Sequence, residues 1–195
     1  VARPRKDQQE PSAKERLSDA FWDMLERMPY SKITVAALSA RAGVNHNTFY
    51  RHFGCIDDMA KELFDENMLP ELPEKILPLF LQGEVGQGAD LFDADIRFRF
   101  ERARLFACSD SVQLNVILKE SLTNLWLNMV GLVEDDLTQS DRDKISFIFG
   151  GLVSLLGASK EPFKPERLMS IAESSLGRGI FETLAELASR RFVAN

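Results

Sequence analysis

From Asn45 to His52 the chain reads Asn-His-Asn-Thr-Phe-Tyr-Arg-His, and Phe49 is the only wholly apolar residue in the run. Amides, a hydroxyl, imidazoles and a guanidinium at this density make a hydrogen-bonding surface. Asn, Thr and His side chains bond base edges or phosphates, while Arg and Tyr suit phosphates. Phe49 and Phe53 are four apart and share one side of a helix, so the polar set takes the other. Asn45, His46 and Asn47, at the start of that helix, are the expected base readers. Thr48, Tyr50, Arg51 and His52 are expected to hold phosphates and set the docking angle.

Such a helix needs a partner to hold it. Upstream, Thr34 can cap a first short helix through its hydroxyl, and it joins the DNA-facing set at that helix's outer end. Val35, Leu38 and Ala42 fall on one face at helical spacing. Gly43 stands where the chain must turn out of the helix, a place that often requires positive φ. Val44 fills the gap between the two helices, and Asn45 caps the second. Two short helices joined by a tight turn are a device for laying the second in the DNA major groove.

The stretch from Ile33 to Phe53 resembles the DNA-binding domain of the TetR family of bacterial transcriptional regulators. Thr34, Val35, Leu38, Ala42, Gly43, Val44, Thr48, Phe49, Tyr50, His52 and Phe53 stand where that family's pattern asks. The resemblance covers residues 12 to 64; beyond them only size and helical character agree. It implies an all-α protein, a helical body with a small-molecule pocket, and a homodimer paired through its last two long helices. One departure lies just downstream. The family continues with Ser-Lys before two acidic residues, the Ser capping the next helix and the Lys reaching a phosphate. This chain has Cys55-Ile56-Asp57-Asp58. Cysteine is a poor cap and isoleucine carries no charge, so one ionic contact per subunit is expected to be missing.

The net charge of −6 by itself argues against a nucleic-acid partner, but its distribution softens the objection. Residues 1–64 carry +1 and residues 65–195 carry −7. Arg3, Arg5 and Lys6 form a basic arm that either reaches DNA, as basic tails do in some DNA binders, or stays a solvated tail. Two cysteines, Cys55 and Cys108, are too few for a disulfide scaffold and fit a reducing cytoplasm. No run approaches the roughly 18 apolar residues of a membrane span, and no secretory signal is expected at the N-terminus. His46 and His52 have no companions at metal-ligand spacing, so neither a metal nor another cofactor is expected. No Ser/His/Asp or Cys/His constellation and no glycine-rich phosphate loop is present, so the chain does not read as an enzyme.

The remaining elements must position this surface. Ser12-Ala-Lys-Glu15 has the form of a capping box, opening a helix whose Leu17, Ala20, Phe21, Met24, Leu25 and Met28 face inward until Pro29 ends it. A fourth helix begins near Cys55. Pro70, Pro73 and Pro78 interrupt the link to the body, and Gln82–Gly88 reads as a loop. Helices are expected at 89–107, 110–134, 140–158 and 165–191, the third capped from Ser140–Asp143 and the last opened by Pro165. Ile96–Phe100 alternates like a strand but is read as helix.

In the last two helices Ile148, Leu152, Leu155, Ile171, Ser175 and Gly179 are expected to form a dimer interface. Small residues such as Gly150, Gly151 and Ser154 lie alongside, and they serve either close approach of a partner or packing within the chain. Phe98, Arg102, Leu122, Trp126, Met129 and Phe147 are the candidate lining of an effector pocket; plain core is the alternative. Arg97 and Arg104 have acidic neighbours at helical spacing, whereas Arg99 and Arg102 lie on a face without them.

The expectation is therefore an all-α chain with a helix-turn-helix domain at 1–64 and an effector-binding and dimerisation domain at 65–195. It would act in the cytoplasm as a homodimeric repressor on a palindromic double-stranded DNA operator, released by an unidentified small-molecule effector, with no membrane partner. The alternative is a similar DNA-binding protein gated by a protein partner or acting architecturally on DNA.

Overall fold

The computed structural model describes residues 11–67, 92–158 and 161–189. Among them are nine α-helices, two short 3-10 turns and no strand, as the sequence leads one to expect. The chain divides into two compact units, residues 1–63 and 64–195. Arg3, Arg5 and Lys6, the three prolines of the link and the Gln82–Gly88 segment lie outside the described residues.

The first unit begins with α1 (Ala13–Arg27), whose Ser12 and Glu15 form the reciprocal capping box. Leu17, Ala20, Phe21, Met24 and Leu25 are buried along it, as is Trp22. Pro29 follows, and a 3-10 turn (Tyr30–Lys32) leads into α2 (Val35–Arg41), α3 (His46–His52) and α4 (Ile56–Asn67). Leu17, Phe21, Leu38, Phe49 and Met59 are at most 0% exposed and form the centre of this unit. Burying one such side chain contributes about 1.5–3 kcal/mol, so three short helices with little stability of their own are held by this shared core.

The second unit contains α5 (Ala94–Ala107), α6 (Val112–Val130), α7 (Gln139–Gly157), α8 (Pro165–Ala172) and α9 (Ser175–Ser189). The strand-like run Ile96–Phe100 lies inside α5, which Asp93 caps by accepting the Ile96 N–H at 2.8 Å. Its core gathers Trp126 and Leu127 of α6, Ile145 and Phe149 of α7, Leu184 and Leu187 of α9, and Leu137. Phe64 packs on Phe106 with ring centroids 4.9 Å apart.

Expected boundaries move, α5 starting at Ala94 after its Asp93 cap rather than at 89, and three others shift for a local reason. α6 stops at Val130 rather than 134, because Gly131 takes a left-handed conformation (φ 67°) and Glu134–Asp136 forms its own 3-10 turn. α7 is capped by Thr138 rather than from Ser140–Asp143. The Asp141 carboxylate, only 1% exposed, accepts from the Thr138 N–H (3.0 Å) and hydroxyl (2.6 Å). The expected helix 165–191 is two helices, α8 and α9. Ser174 accepts the Gly177 N–H at 3.2 Å, and Gly177 lies against the Ile171 and Ala172 carbonyls, where any Cβ would overlap them.

Candidate nucleic-acid interface

The polar surface is built by local capping. The Thr34 hydroxyl accepts the Ala37 N–H at 3.1 Å and starts α2. Gly43 then adopts φ +63°, which glycine takes without the strain any other residue meets there. Asn45 Oδ1 accepts the Asn47 N–H at 2.8 Å and starts α3. Phe49 and Phe53 point into the core, 0% and 3% exposed. Asn45, His46, Asn47, Tyr50, Arg51 and His52 are exposed and Thr48 is half-buried, so one short helix brings the predicted set together on its outer side. Thr34 is exposed at the start of α2. The imidazole of His46 meets the Tyr50 ring edge-on, centroids 5.2 Å apart, along one flank.

Contacts distant in sequence hold this pair of helices, and sequence reasoning missed them. Arg16 Nε donates to the Ala42 carbonyl at 3.2 Å, tying α1 to the turn between α2 and α3. Asp23 pairs with Arg27 at 2.9 Å and also with Arg41, so a basic residue near the reading helix is committed to structure. Lys14 and Glu62 join α1 to α4 at 2.6 Å. The Tyr30 hydroxyl donates to Asp57 Oδ1 at 2.5 Å; burial, and then this carboxylate, push the phenol well above its ordinary range. Asp23–Arg27 apart, which is an i,i+4 pair within α1, only a pairing pattern across many sequences could have signalled these, since no local spacing predicts them.

At the corner into α4 the departure from the family pattern has a definite form. Cys55 occupies the capping position, and its Sγ accepts the Asp58 N–H at 3.4 Å. The thiol thus replaces the expected hydroxyl, at the longer distance sulfur imposes. The Asp58 carboxylate folds over Gly54, where a Cβ would stand 2.6 Å from Oδ2. Ile56 is half-buried and adds no charge.

In the second unit the expected pocket residues do not converge. Phe98 is 53% and Phe147 78% exposed, so neither lines a cavity among the described residues. Arg102 lies over the Phe98 ring at 4.3 Å on that same surface. Trp126 belongs to the core, with Leu122 and Met129 packed against it. Arg99 does have a partner, Asp95, at 2.9 Å, one helical turn back on the same face. A shallow cleft opens elsewhere, lined in part by Arg104, Leu155, Leu156, Phe163, Arg167 and Leu168. Beside it Glu101 receives Arg104 at 2.8 Å and the Phe163 N–H at 2.8 Å. Burial pushes the Glu101 carboxyl up, but these two bonds outweigh it and hold it below the ordinary range.

Of the expected interface residues, Ile148, Leu152, Leu155, Ile171 and Gly179 are half-buried and Ser175 is exposed. Ile148 and Leu152 pack partly on the chain's own core. The outer side of α7 presents Phe147, Gly151 and Ser154. Glycines divide cleanly: a Cβ at Gly150, Gly151 or Gly179 would meet nothing within 4 Å, whereas at Gly157 it would stand 2.6 Å from the Ala107 carbonyl oxygen. Only the last is explained by packing within the chain.

Among the described residues no helix is long and apolar enough to cross a membrane. Residues 19–63 match the family model of bacterial regulatory proteins, tetR family. No curated protein matches the chain at a significant level. Among solved structures it is similar to the TetR family repressor AlkX from Dietzia sp. strain DQ12-45-1b, at 17% identity over 92% of this chain and 96% of that one, with a TM-score of 0.38. It is similar also to the fatty acid degradation regulator FadR from Bacillus halodurans, at 16% identity over 93% and 96%, with a TM-score of 0.42. Residues 19–63, which hold the two helices and the turn described above, are therefore a DNA-binding domain of the tetR type of bacterial regulatory proteins.

Proposed function

We propose that the chain is a cytoplasmic homodimeric repressor whose two α3 helices enter successive major grooves of a palindromic operator. The observation that carries this reading is the division of α3: Phe49 and Phe53 are buried while Asn47, Tyr50 and Arg51 are exposed on the other side. In it the Asn45–Asn47 segment meets base edges. Thr34, Thr48, Tyr50, Arg51 and His52 meet phosphates, and Arg3, Arg5 and Lys6 add an arm along the backbone. Among the described residues no ion pair engages Arg51, which leaves its guanidinium for a phosphate.

A second copy would pair on the face of α7, α8 and α9 that carries Ile148, Leu152, Leu155, Ile171, Ser175 and Gly179. Gly179 on that face and Gly151 at its edge, both with open space where a Cβ would stand, support close backbone approach there. Release by a small molecule entering the helical body completes the reading. Such coupling requires the ligand to favour a protomer arrangement in which the two α3 helices no longer match the groove spacing.

Selection of genomic fragments by the purified protein at near-physiological salt tests the proposal. Enrichment of a palindrome supports it; a folded, dimeric protein that enriches no sequence, even after unfolding and refolding to strip any ligand, contradicts it.

A further inference from the structure

Of the three residues facing base edges in the reading above, on which this inference rests, only one has a side chain both outward and uncommitted. The Asn45 amide is spent on structure, because its Oδ1 accepts the Asn47 N–H at 2.8 Å. That bond fixes the orientation of the Asn45 amide at the start of α3, leaving one oxygen lone pair and the NH2 group in a set direction. His46 is turned along the flank of α3, its ring edge-on to Tyr50 at 5.2 Å. Asn47 is exposed, and 3.6 residues per turn place it roughly 160° around the helix from the buried Phe49. Among the described residues no hydrogen bond engages its side-chain amide. Arg51 follows one turn later on the same outer ridge.

We infer that Asn47 is the specificity-determining residue of α3 and that it selects an adenine at one position of each operator half-site. A primary amide offers an acceptor and a donor side by side. Adenine alone presents the complement in the major groove, with N7 accepting and the N6 amino group donating. Guanine presents two acceptors there, N7 and O6, and would set one against the amide oxygen. Thymine offers O4 and a methyl group, which satisfies half of the amide. The cap adds to the selectivity. By fixing the first turn of α3, Asn45 fixes where the Asn47 side chain emerges, so Asn45 acts as a positioning residue and Asn47 as the reader.

The test uses the full chain and the palindrome it selects, with each base pair of the half-site exchanged in turn and binding followed by fluorescence anisotropy. Wild-type protein is expected to prefer adenine at one position by about tenfold to a hundredfold. At that position 7-deazaadenine, which lacks the N7 acceptor, should weaken wild-type binding. Asn47→Ala should flatten the preference and lose sensitivity to the analogue, while preferences elsewhere persist. Asn45→Ser, which keeps a capping oxygen, should shift affinity by one common factor for all four bases at that position. An Asn47→Ala protein that retains every preference overturns the assignment, as does an Asn45→Ser protein that loses the adenine preference while Asn47→Ala keeps it. A wild-type protein that selects no site overturns the DNA-binding reading itself, and the assignment with it.

Discussion

Gly151 and Gly157 lie on one helix, yet alanine in place of each should act in opposite directions. In a helix interior alanine is favoured over glycine by about 1 kcal/mol. At Gly151 the new methyl would meet nothing within 4 Å of its own protomer, so the isolated subunit should gain most of that, roughly 2–4 °C in Tm. If the outer side of α7 faces a second copy, the same methyl enters a surface where two backbones come together. Overpacking costs about 1–3 kcal/mol per site and counts twice across a two-fold axis, so self-association should weaken by about thirtyfold or more. Gly157 is different: its Cβ would stand 2.6 Å from the backbone oxygen of Ala107, which only a shift of α5 against α7 relieves. Gly157→Ala should therefore destabilise the fold at every protein concentration. Sedimentation velocity across a dilution series, paired with thermal unfolding, reads both effects. Unchanged self-association of Gly151→Ala refutes the interface assignment, and a stabilised Gly157→Ala refutes the packing argument.

Three further outcomes follow from the same geometry. Gly43→Ala should cost about 1–2 kcal/mol in urea unfolding although space is open around it, because φ +63° is strained for any residue with a Cβ; a neutral effect contradicts the turn described here. Glu101 has a folded-state pKa below the ordinary 4.5, so its stabilisation is full above that value and is lost as pH falls through the lower, folded-state one. The stability gap between wild type and Glu101→Gln should therefore close as the solution is acidified, and a gap that widens is inconsistent with the bonds to Arg104 and Phe163. Arg51→Ala should weaken binding about equally on all sequences and reduce the salt slope by about one; a change in base preference instead would move Arg51 from phosphate to base.

The DNA-facing half of the molecule was legible because its determinants are local. A cap, a left-handed glycine and an i,i+4 aromatic pair each act within a few residues, and Thr34, Asn45, Gly43, Phe49 and Phe53 behave as their types require. What escaped depends on residues far apart in sequence. Arg16 reaching the Ala42 carbonyl, or Asp23 holding Arg41, follows from the packing of α1 on α2. Phe147 shows another kind of error, in which side-chain type was allowed to outweigh period. It lies two residues from both Ile145 and Phe149, so the helical repeat that buries those two turns Phe147 outward. The break between α8 and α9 was hidden for the opposite reason. Leu168, Ile171, Ala172, Ser175 and Gly179 keep a helical 3/4 spacing across it, while Ser174 and Gly177 make the turn.

In the proposed complex two copies of this chain set their α3 helices into successive major grooves of one operator. Hydroxyl-radical footprinting of the selected fragment measures this most directly. Two protected tracts are expected on one face of the duplex, related by two-fold symmetry and centred about 34–36 Å apart or a multiple of that spacing. Protection spread evenly along the fragment, or a single unpaired tract at saturating protein, contradicts it.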